Sequence, residues 1–236
     1  MSSFQFPGNP FNQTPGAGRP HRKLGPLGLT AIAFAILVTI FLSLSSFYAD
    51  LLWFRSVNFT SVWRTTLFTK IELFAIFGAL SSLIITTFVI IAYRTRPIYA
   101  PIEIDNLERY RGQIEPIRKS VIIAIAIGLF YFAGSSGSHL WETWLQFKNS
   151  TNFGVKDAQF GKDISFYAFK LPFYQSLLSW AISIGILTLL VSVGVHYLYG
   201  GIRPQAPTNR TTVSARVQLS ILLGTIVLLK AFAYWL

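Results

Sequence analysis

Residues 171–202 read LPFYQSLLSWAISIGILTLLVSVGVHYLYGGI and contain no Asp, Glu, Lys or Arg. About 20 apolar residues are enough for a helix to cross the roughly 30 Å hydrocarbon core of a bilayer. Residues 24–49, 73–93 and 120–141 also lack these charges, and residues 217–236 contain only Lys230. The pattern predicts an all-α fold, a polytopic transmembrane helix bundle with about five spans.

The composition excludes an ordinary soluble globule. Of the 236 residues, 52% are hydrophobic and 12% are charged, which is too few to cover a water-facing surface. The net charge of +11 does not indicate a nucleic-acid partner, because the basic residues lie at the ends of apolar runs. We expect the lipid bilayer of a cell membrane as the immediate partner, whereas the oligomeric state stays open.

The predicted boundaries follow from charge and proline. Residues 1–23 contain Pro7, Pro10, Pro15 and Pro20 and are predicted to be a disordered tail. The transmembrane domain then covers residues 24–236, with spans at about 27–47, 71–93, 120–134, 173–199 and 217–236. Twelve Lys and Arg residues lie in segments 1–23, 94–119 and 203–216, against seven in the alternate loops. The excess predicts that the N-terminal tail is cytoplasmic.

Small residues recur every four positions in the first two spans. Ala31, Ala35, Thr39 and Ser43 mark one face, and Gly78, Ser82 and Thr86 mark another. Such stripes allow helices to approach closely. The alternative is that small residues are simply common in membrane helices.

The predicted outer loop, residues 135–170, is rich in aromatic side chains. Ten of the 37 aromatic residues lie between Trp141 and Tyr174, and such rings favour the headgroup region of a bilayer. Phe-Gly pairs at 153–154 and 160–161 are each followed by an acidic residue, Asp157 or Asp163. The two carboxylates are predicted to cap turns, although cation binding is the alternative.

The loop between the second and third spans mixes charges of both signs. Glu115 and Lys119 have the spacing of a helical ion pair. A short helix between Pro101 and Pro116 on the membrane surface and a salt-bridged linker are equally compatible with this segment.

Signatures of enzyme chemistry are sparse. Cysteine, a phosphate-binding glycine loop and an HExxH pair are absent, and the predicted positions of His21, His139 and His196 do not allow them to converge on one metal. We therefore expect neither metal nor cofactor, and an enzyme is the less favoured class. Lys230 is the one charge inside an apolar run. It is either a substrate-path lysine or a side chain that reaches toward the membrane surface.

One motif matches a protease pattern. Residues 134–137 read GSSG, which fits the GxSG pattern around the serine of rhomboid intramembrane proteases. A nucleophilic Ser136 needs a general base within hydrogen-bond reach, and neither His139 nor His196 is placed to supply one. The alternative is a glycine-serine exit from a helix.

Several segments together resemble a known family. The runs YRTRPIYAP, LERYRGQIEP, WETWLQFKNSTNFGVKDAQFGKDISFYAFKLPF, HYLYGGIR and LLKAFAYWL resemble the N-terminal membrane region of uncharacterised protein family 0182, which occurs in bacteria. The most specific motif residues are Phe153, Gly154, Asp157, Phe160, Gly161, Asp163, Ser165, Phe166, Tyr167 and Pro172. Ala158 and Gln218 depart from the family pattern, in which proline and histidine are expected.

The resemblance implies a larger protein with about seven spans and a long extracytoplasmic region, and no assigned reaction. We therefore expect this chain to be a truncated copy or gene fragment corresponding to the first five spans. Our leading hypothesis is a non-enzymatic module that assembles with other membrane or envelope proteins. A transporter or channel component is the alternative, and a rhomboid-like protease ranks third.

Overall fold

The computed structural model describes residues 26–97, 112–113, 115–205 and 209–236. The chain divides into two compact units, residues 1–60 and 61–236, which we describe separately. The tail predicted for residues 1–23 lies outside the described residues. The same holds for most of the surface helix considered between Pro101 and Pro116, of which residues 112–113 and 115–116 are described.

The first unit contains one long helix, α1, which covers Pro26–Ser56. It continues past the span predicted at 27–47 because the following residues include no proline or glycine to interrupt it. Within the small-residue stripe, the Thr39 hydroxyl donates to the Ala35 carbonyl at 2.8 Å and the Ser43 hydroxyl to the Thr39 carbonyl at 2.8 Å. These bonds satisfy both hydroxyls within the helix, and the role of the stripe in helix packing stays a prediction.

The second unit is built from five further α-helices among the described residues. They are α2 (Thr60–Arg94), α3 (Arg118–Ser138), α4 (Trp141–Lys148), α5 (Leu171–Leu198) and α6 (Val213–Trp235). A 3₁₀ turn, Glu115–Ile117, precedes α3, and a π-helical turn, Phe166–Lys170, leads into α5. Five of the described helices, all except α4, are long and apolar enough to cross a membrane. The prediction of an all-α fold with about five spans is confirmed.

Glycines allow α2 and α3 to pack with their backbones close together. A Cβ atom at Gly78 would lie 2.6 Å from the Phe130 carbonyl oxygen, and one at Gly134 would lie 2.7 Å from that of Phe74. The Ser82 hydroxyl donates to the Ala126 carbonyl across the same interface at 2.9 Å. Gly78 and Ser82 of the predicted stripe on the second span therefore lie in a helix interface.

One face of α5 is buried and mostly polar. Thr188, Ser192 and His196 follow one another at four-residue spacing and are 0–1% exposed. Nearer the start of the helix, the indole N–H of Trp180 donates to the Ser81 hydroxyl of α2 at 3.2 Å. This face joins α5 to α2 and, further along, to α6.

Candidate functional site

The aromatic loop, defined here as residues 149–165, is organised by the carboxylate of Asp163. Its Oδ1 accepts hydrogen bonds from the N–H groups of Phe153 at 3.1 Å and Ser165 at 2.9 Å, and its Oδ2 accepts one from Gly154 at 3.0 Å. The hydroxyl and N–H of Ser165, followed by the two other N–H groups, lower the pKa of Asp163 to about 2. This carboxylate therefore joins the first half of the loop, at Phe153 and Gly154, to the last residue of the loop, Ser165.

Asp157 organises the inner turn of the same loop. Its Oδ2 accepts from the Phe160 N–H at 2.8 Å and from the Tyr167 hydroxyl at 3.4 Å, and its carbonyl accepts from the Gly161 N–H at 3.0 Å. Gly154 and Gly161 have φ of +76° and +64°, which glycine adopts without strain. The turn-capping roles predicted for Asp157 and Asp163 are thereby confirmed.

The aromatic loop, held by the hydrogen bonds of Asp157 and Asp163, exposes apolar side chains. Phe153, Val155 and Phe160 are 52%, 55% and 67% exposed. The Phe153 ring also contacts that of Phe169, with centroids 5.5 Å apart. The carboxylates are occupied with the backbone, so the surface that the loop presents combines these apolar side chains with exposed polar ones such as Lys156.

The remaining motif residues connect the loop to α5. Phe166 and Tyr167 lie in the π-helical turn with ring centroids 5.4 Å apart, and Pro172 is the second residue of α5. Ser165 is 1% exposed directly before this turn. The structure thus gathers the predicted motif into one continuous element, in which the polar members hold the turns and the apolar members face outward or pack.

The two helices that flank the loop, α4 and α5, pack against each other through aromatic rings. Phe147 lies between Phe173 and Tyr174, with centroid distances of 4.7 Å and 5.4 Å, and Trp144 lies 5.1 Å from Phe173. The first part of the predicted outer loop at 135–170 is therefore helical, since α3 continues to Ser138 and α4 follows.

A buried polar cluster lies near the opposite end of the second unit. It consists of Ser192 and His196 of α5, Gln218 of α6 and the carbonyl of Phe88 in α2. The Gln218 amide donates to the Phe88 carbonyl at 3.0 Å and to the Ser192 hydroxyl at 3.4 Å, and its Oε1 lies 3.0 Å from His196 Nε2. Because the Phe88 carbonyl only accepts, the amide orientation is set and His196 Nε2 must carry the hydrogen.

Sequence reasoning missed this cluster. Gln218 was singled out only as a departure from the family pattern, and His196 only as an unsuitable metal ligand or base. The available signal was the repeat of Thr188, Ser192 and His196 at helical spacing, which marks one polar face on an otherwise apolar helix.

Arginine and tyrosine side chains gather around Glu115 at the end of the unit where α2 finishes. Glu115 pairs with Arg118 at 2.6 Å and with Arg96 at 3.6 Å, and accepts from the hydroxyls of Tyr93 at 2.8 Å and Tyr199 at 3.3 Å. Burial first, and the nearby Glu115 charge second, raise the pKa of Tyr199. The ion pair expected with Lys119 is replaced by one with Arg118, because Glu115 lies in a 3₁₀ turn with three residues per turn.

Lys230 belongs neither to the aromatic loop nor to the buried polar cluster. It is exposed on α6, and its ammonium lies 5.5 Å from the centroid of the Tyr234 ring. That cation–π contact is directed along the helix toward its last turn. Both roles considered for Lys230, a substrate-path lysine and a side chain that reaches toward the membrane surface, stay predictions.

The GSSG run forms the last turn of α3, directly before Ser138 and the C-cap His139, so it lies where the helix ends, as the alternative predicted. Gly134 and Gly137 are buried where α3 packs against Phe74 and Phe77 of α2. Ser136 is exposed. Its backbone carbonyl accepts from the His139 N–H at 3.3 Å, but its hydroxyl forms no hydrogen bond with a described histidine. His196 is engaged with Gln218, so the described residues assemble no serine–histidine pair.

These features define an all-helical protein whose long helices are compatible with membrane insertion. Residues 27–236 match the uncharacterised protein family UPF0182, and the chain belongs to this family. The resemblance inferred from the loop motif is thereby confirmed.

Relatives from several actinobacteria are similar along most of the chain. The UPF0182 protein of Streptomyces coelicolor is 43% identical over 93% of this chain, that of Frankia alni 48% over 79%, and that of Thermobifida fusca 41% over 99%. The chain spans only 22%, 18% and 23% of the lengths of these relatives. No solved structure matches the chain.

Proposed function

We propose that this chain is a non-enzymatic, multi-pass module of the cell membrane, with a cytoplasmic N-terminus, that assembles with other membrane or envelope proteins. The aromatic loop is the contact surface. The observation that carries the proposal is the combination of a hydrogen-bonded loop frame with outward apolar side chains at Phe153, Val155 and Phe160.

Physical reasons favour a binding role for this loop. A preorganised loop loses less conformational entropy when it binds than a flexible one, and aromatic side chains dominate protein interfaces. The carboxylates of Asp157 and Asp163 already accept hydrogen bonds from the loop backbone. They therefore act as scaffold, whereas the exposed rings supply the contact area.

The proposal is tested by site-specific photocrosslinking in intact cells. A benzophenone amino acid replaces Phe160 in the loop or, as a control, the 74% exposed Phe132 on α3. We expect discrete protein adducts from position 160, lost when Phe153 is also replaced by Ser, and lipid adducts from position 132. Identical adducts at both positions, or no protein adduct at position 160, would contradict the proposal.

The buried polar cluster favours a second candidate function, a transporter or channel component. Polar residues within membrane helices commonly mark substrate or ion pathways. Purified protein in liposomes would then give solute flux, and this flux would change in Gln218→Leu. A second variant, Lys230→Met, tests the one charged residue inside an apolar run. Flux that is absent, or the same in all three proteins, would count against transport.

A further inference from the structure

A groove lies between α2 and α6, near the residues where α2 ends and α6 begins. Its volume is about 400 Å³, and its walls include Phe88, Ile91, Val213, Val217, Gln218 and Ile221. Val213, Val217 and Ile221 are 74%, 52% and 57% exposed. The groove is therefore an apolar channel that the described helices leave open along one side.

The dimensions of the groove suit a hydrocarbon chain. From Val213 to Ile221 the α6 wall extends for about 12 Å at 1.5 Å per residue. One leaflet of a bilayer contributes about half of the roughly 30 Å hydrocarbon core. Most of one acyl chain fits alongside this wall.

The polar atoms are concentrated at one end of the groove. Ser214 lines this end, and its hydroxyl forms no hydrogen bond with another described residue. The Thr95 hydroxyl, also at this end, donates to the Ile91 carbonyl at 2.9 Å. Deeper in, the Gln218 amide is engaged with Phe88 and Ser192. The groove thus has polar atoms at its mouth, whereas the Gln218 amide, deeper along the wall, already has hydrogen-bond partners within the protein.

The charge around the mouth is strongly positive. Arg94 ends α2, and Arg216 lies in the first turn of α6, where its guanidinium is 3.4 Å from the Thr211 hydroxyl. Neither forms an ion pair with a carboxylate in the described part of the chain. Glu115, the described carboxylate at this end, is engaged by Arg118 and Arg96. Arg203 and Arg210, in the segment before α6, add to the positive charge.

We propose that the groove binds an anionic phospholipid. One acyl chain lies between α2 and α6, and the phosphate faces Arg94, Arg216 and the Ser214 hydroxyl. Basic residues next to a membrane helix attract anionic headgroups, and the apolar groove adds the burial of the chain. A zwitterionic lipid also buries its acyl chain in the groove, but its headgroup is attracted much less strongly by the basic residues.

The charge part of the proposal is tested with the 236-residue chain in detergent. The chain is incubated with equal amounts of phosphatidylglycerol and phosphatidylcholine carrying the same acyl chains, and bound lipids are counted by native mass spectrometry. We expect phosphatidylglycerol to be preferred. The pair Arg94→Gln and Arg216→Gln should lower that preference roughly tenfold or more, because each basic residue contributes about fivefold. The pair Arg64→Gln and Lys148→Gln removes equal charge elsewhere and should leave the preference unchanged.

The shape part uses a bulky substitution. Val217→Trp fills the groove and should remove most bound lipid of both kinds, whereas Val227→Trp, at an exposed position of α6 outside the groove, should not. Glycerol phosphate in excess should fail to displace phosphatidylglycerol. Equal retention of the two lipids, equal losses in the two charge pairs, no effect of Val217→Trp, or displacement by glycerol phosphate would each overturn the proposal. None of these outcomes depends on the aromatic loop.

Discussion

The Nε2 atom of His196 in α5 lies 3.0 Å from the Oε1 atom of Gln218 in α6. Gln218 is 6% exposed and His196 is 1% exposed, so the bond is shielded from water and from lipid. Through its amide, Gln218 extends the contact to Ser192 and to the α2 backbone. One side chain thus connects three helices.

Replacing Gln218 with Leu should destabilise the second unit. The substitution leaves the buried His196 N–H without its partner, which costs about 1–3 kcal/mol. It also removes the second hydrogen bond of the Phe88 carbonyl, which lies within α2. Thermal unfolding in detergent measures the loss. Gln175→Leu, at an exposed position near the start of α5, is the matched control. Equal shifts in the two variants would mean that the cluster does not stabilise the fold.

Replacing Asp163 with Asn should loosen the aromatic loop. The amide retains the size of the carboxylate but not its charge, so the hydrogen bonds from Phe153, Gly154 and Ser165 weaken. Hydrogen exchange of these N–H groups, followed by mass spectrometry, should accelerate severalfold. Glu142→Gln, in α4, removes a carboxylate outside the loop and provides the control. Unchanged exchange in Asp163→Asn would show that other contacts hold the loop.

The same loop should respond to acid in a defined range. The pKa of Asp163 is lowered from 3.8 to about 2 in the folded loop, so its stabilising contribution is complete above pH 3.8. That contribution is lost as the pH falls toward 2. Exchange of the Phe153 and Gly154 N–H groups, corrected for intrinsic rates, should therefore rise over this interval in the native protein. Asp163→Asn should show no corresponding step.

Two glycines near the α2–α3 contact should respond to alanine in opposite directions. At Gly78 a Cβ atom would lie 2.6 Å from the Phe130 carbonyl, whereas at Gly128 no atom is within 4 Å. Gly78→Ala should cost about 1–3 kcal/mol through overpacking. Gly128→Ala should stabilise α3 by up to about 1 kcal/mol through helix propensity. Thermal unfolding of the two variants checks the signs, and a gain in Gly78→Ala would refute the close packing.

Much of the architecture follows from local properties of the sequence. Charge-free stretches define the apolar helices because each must satisfy its own backbone hydrogen bonds in lipid. The stripe at Gly78 and Ser82 could be identified as an interface because its four-residue spacing lies on one helix face. Asp157 and Asp163 could be identified as caps because short carboxylates accept from backbone N–H groups nearby in sequence.

Contacts between residues distant in sequence required the tertiary structure. Glu115 pairs with Arg96 because the end of α2 and the start of α3 meet there, and helical spacing alone had favoured Lys119 as its partner. The GSSG run of α3 serves helix packing because Phe74 and Phe77 lie opposite its glycines. No periodicity within a segment specifies which side chain of another helix lies opposite.

The sequence by itself therefore determined the helical class, the number of long apolar helices and the turn chemistry of the aromatic loop, because these depend on hydropathy and on hydrogen bonds between near neighbours. Only the tertiary structure decided that Gln218 would meet His196, Ser192 and Phe88, and that α2 and α6 would leave a groove between them. These features depend on how helices far apart in the chain pack, which is set by side-chain shape over many contacts at once.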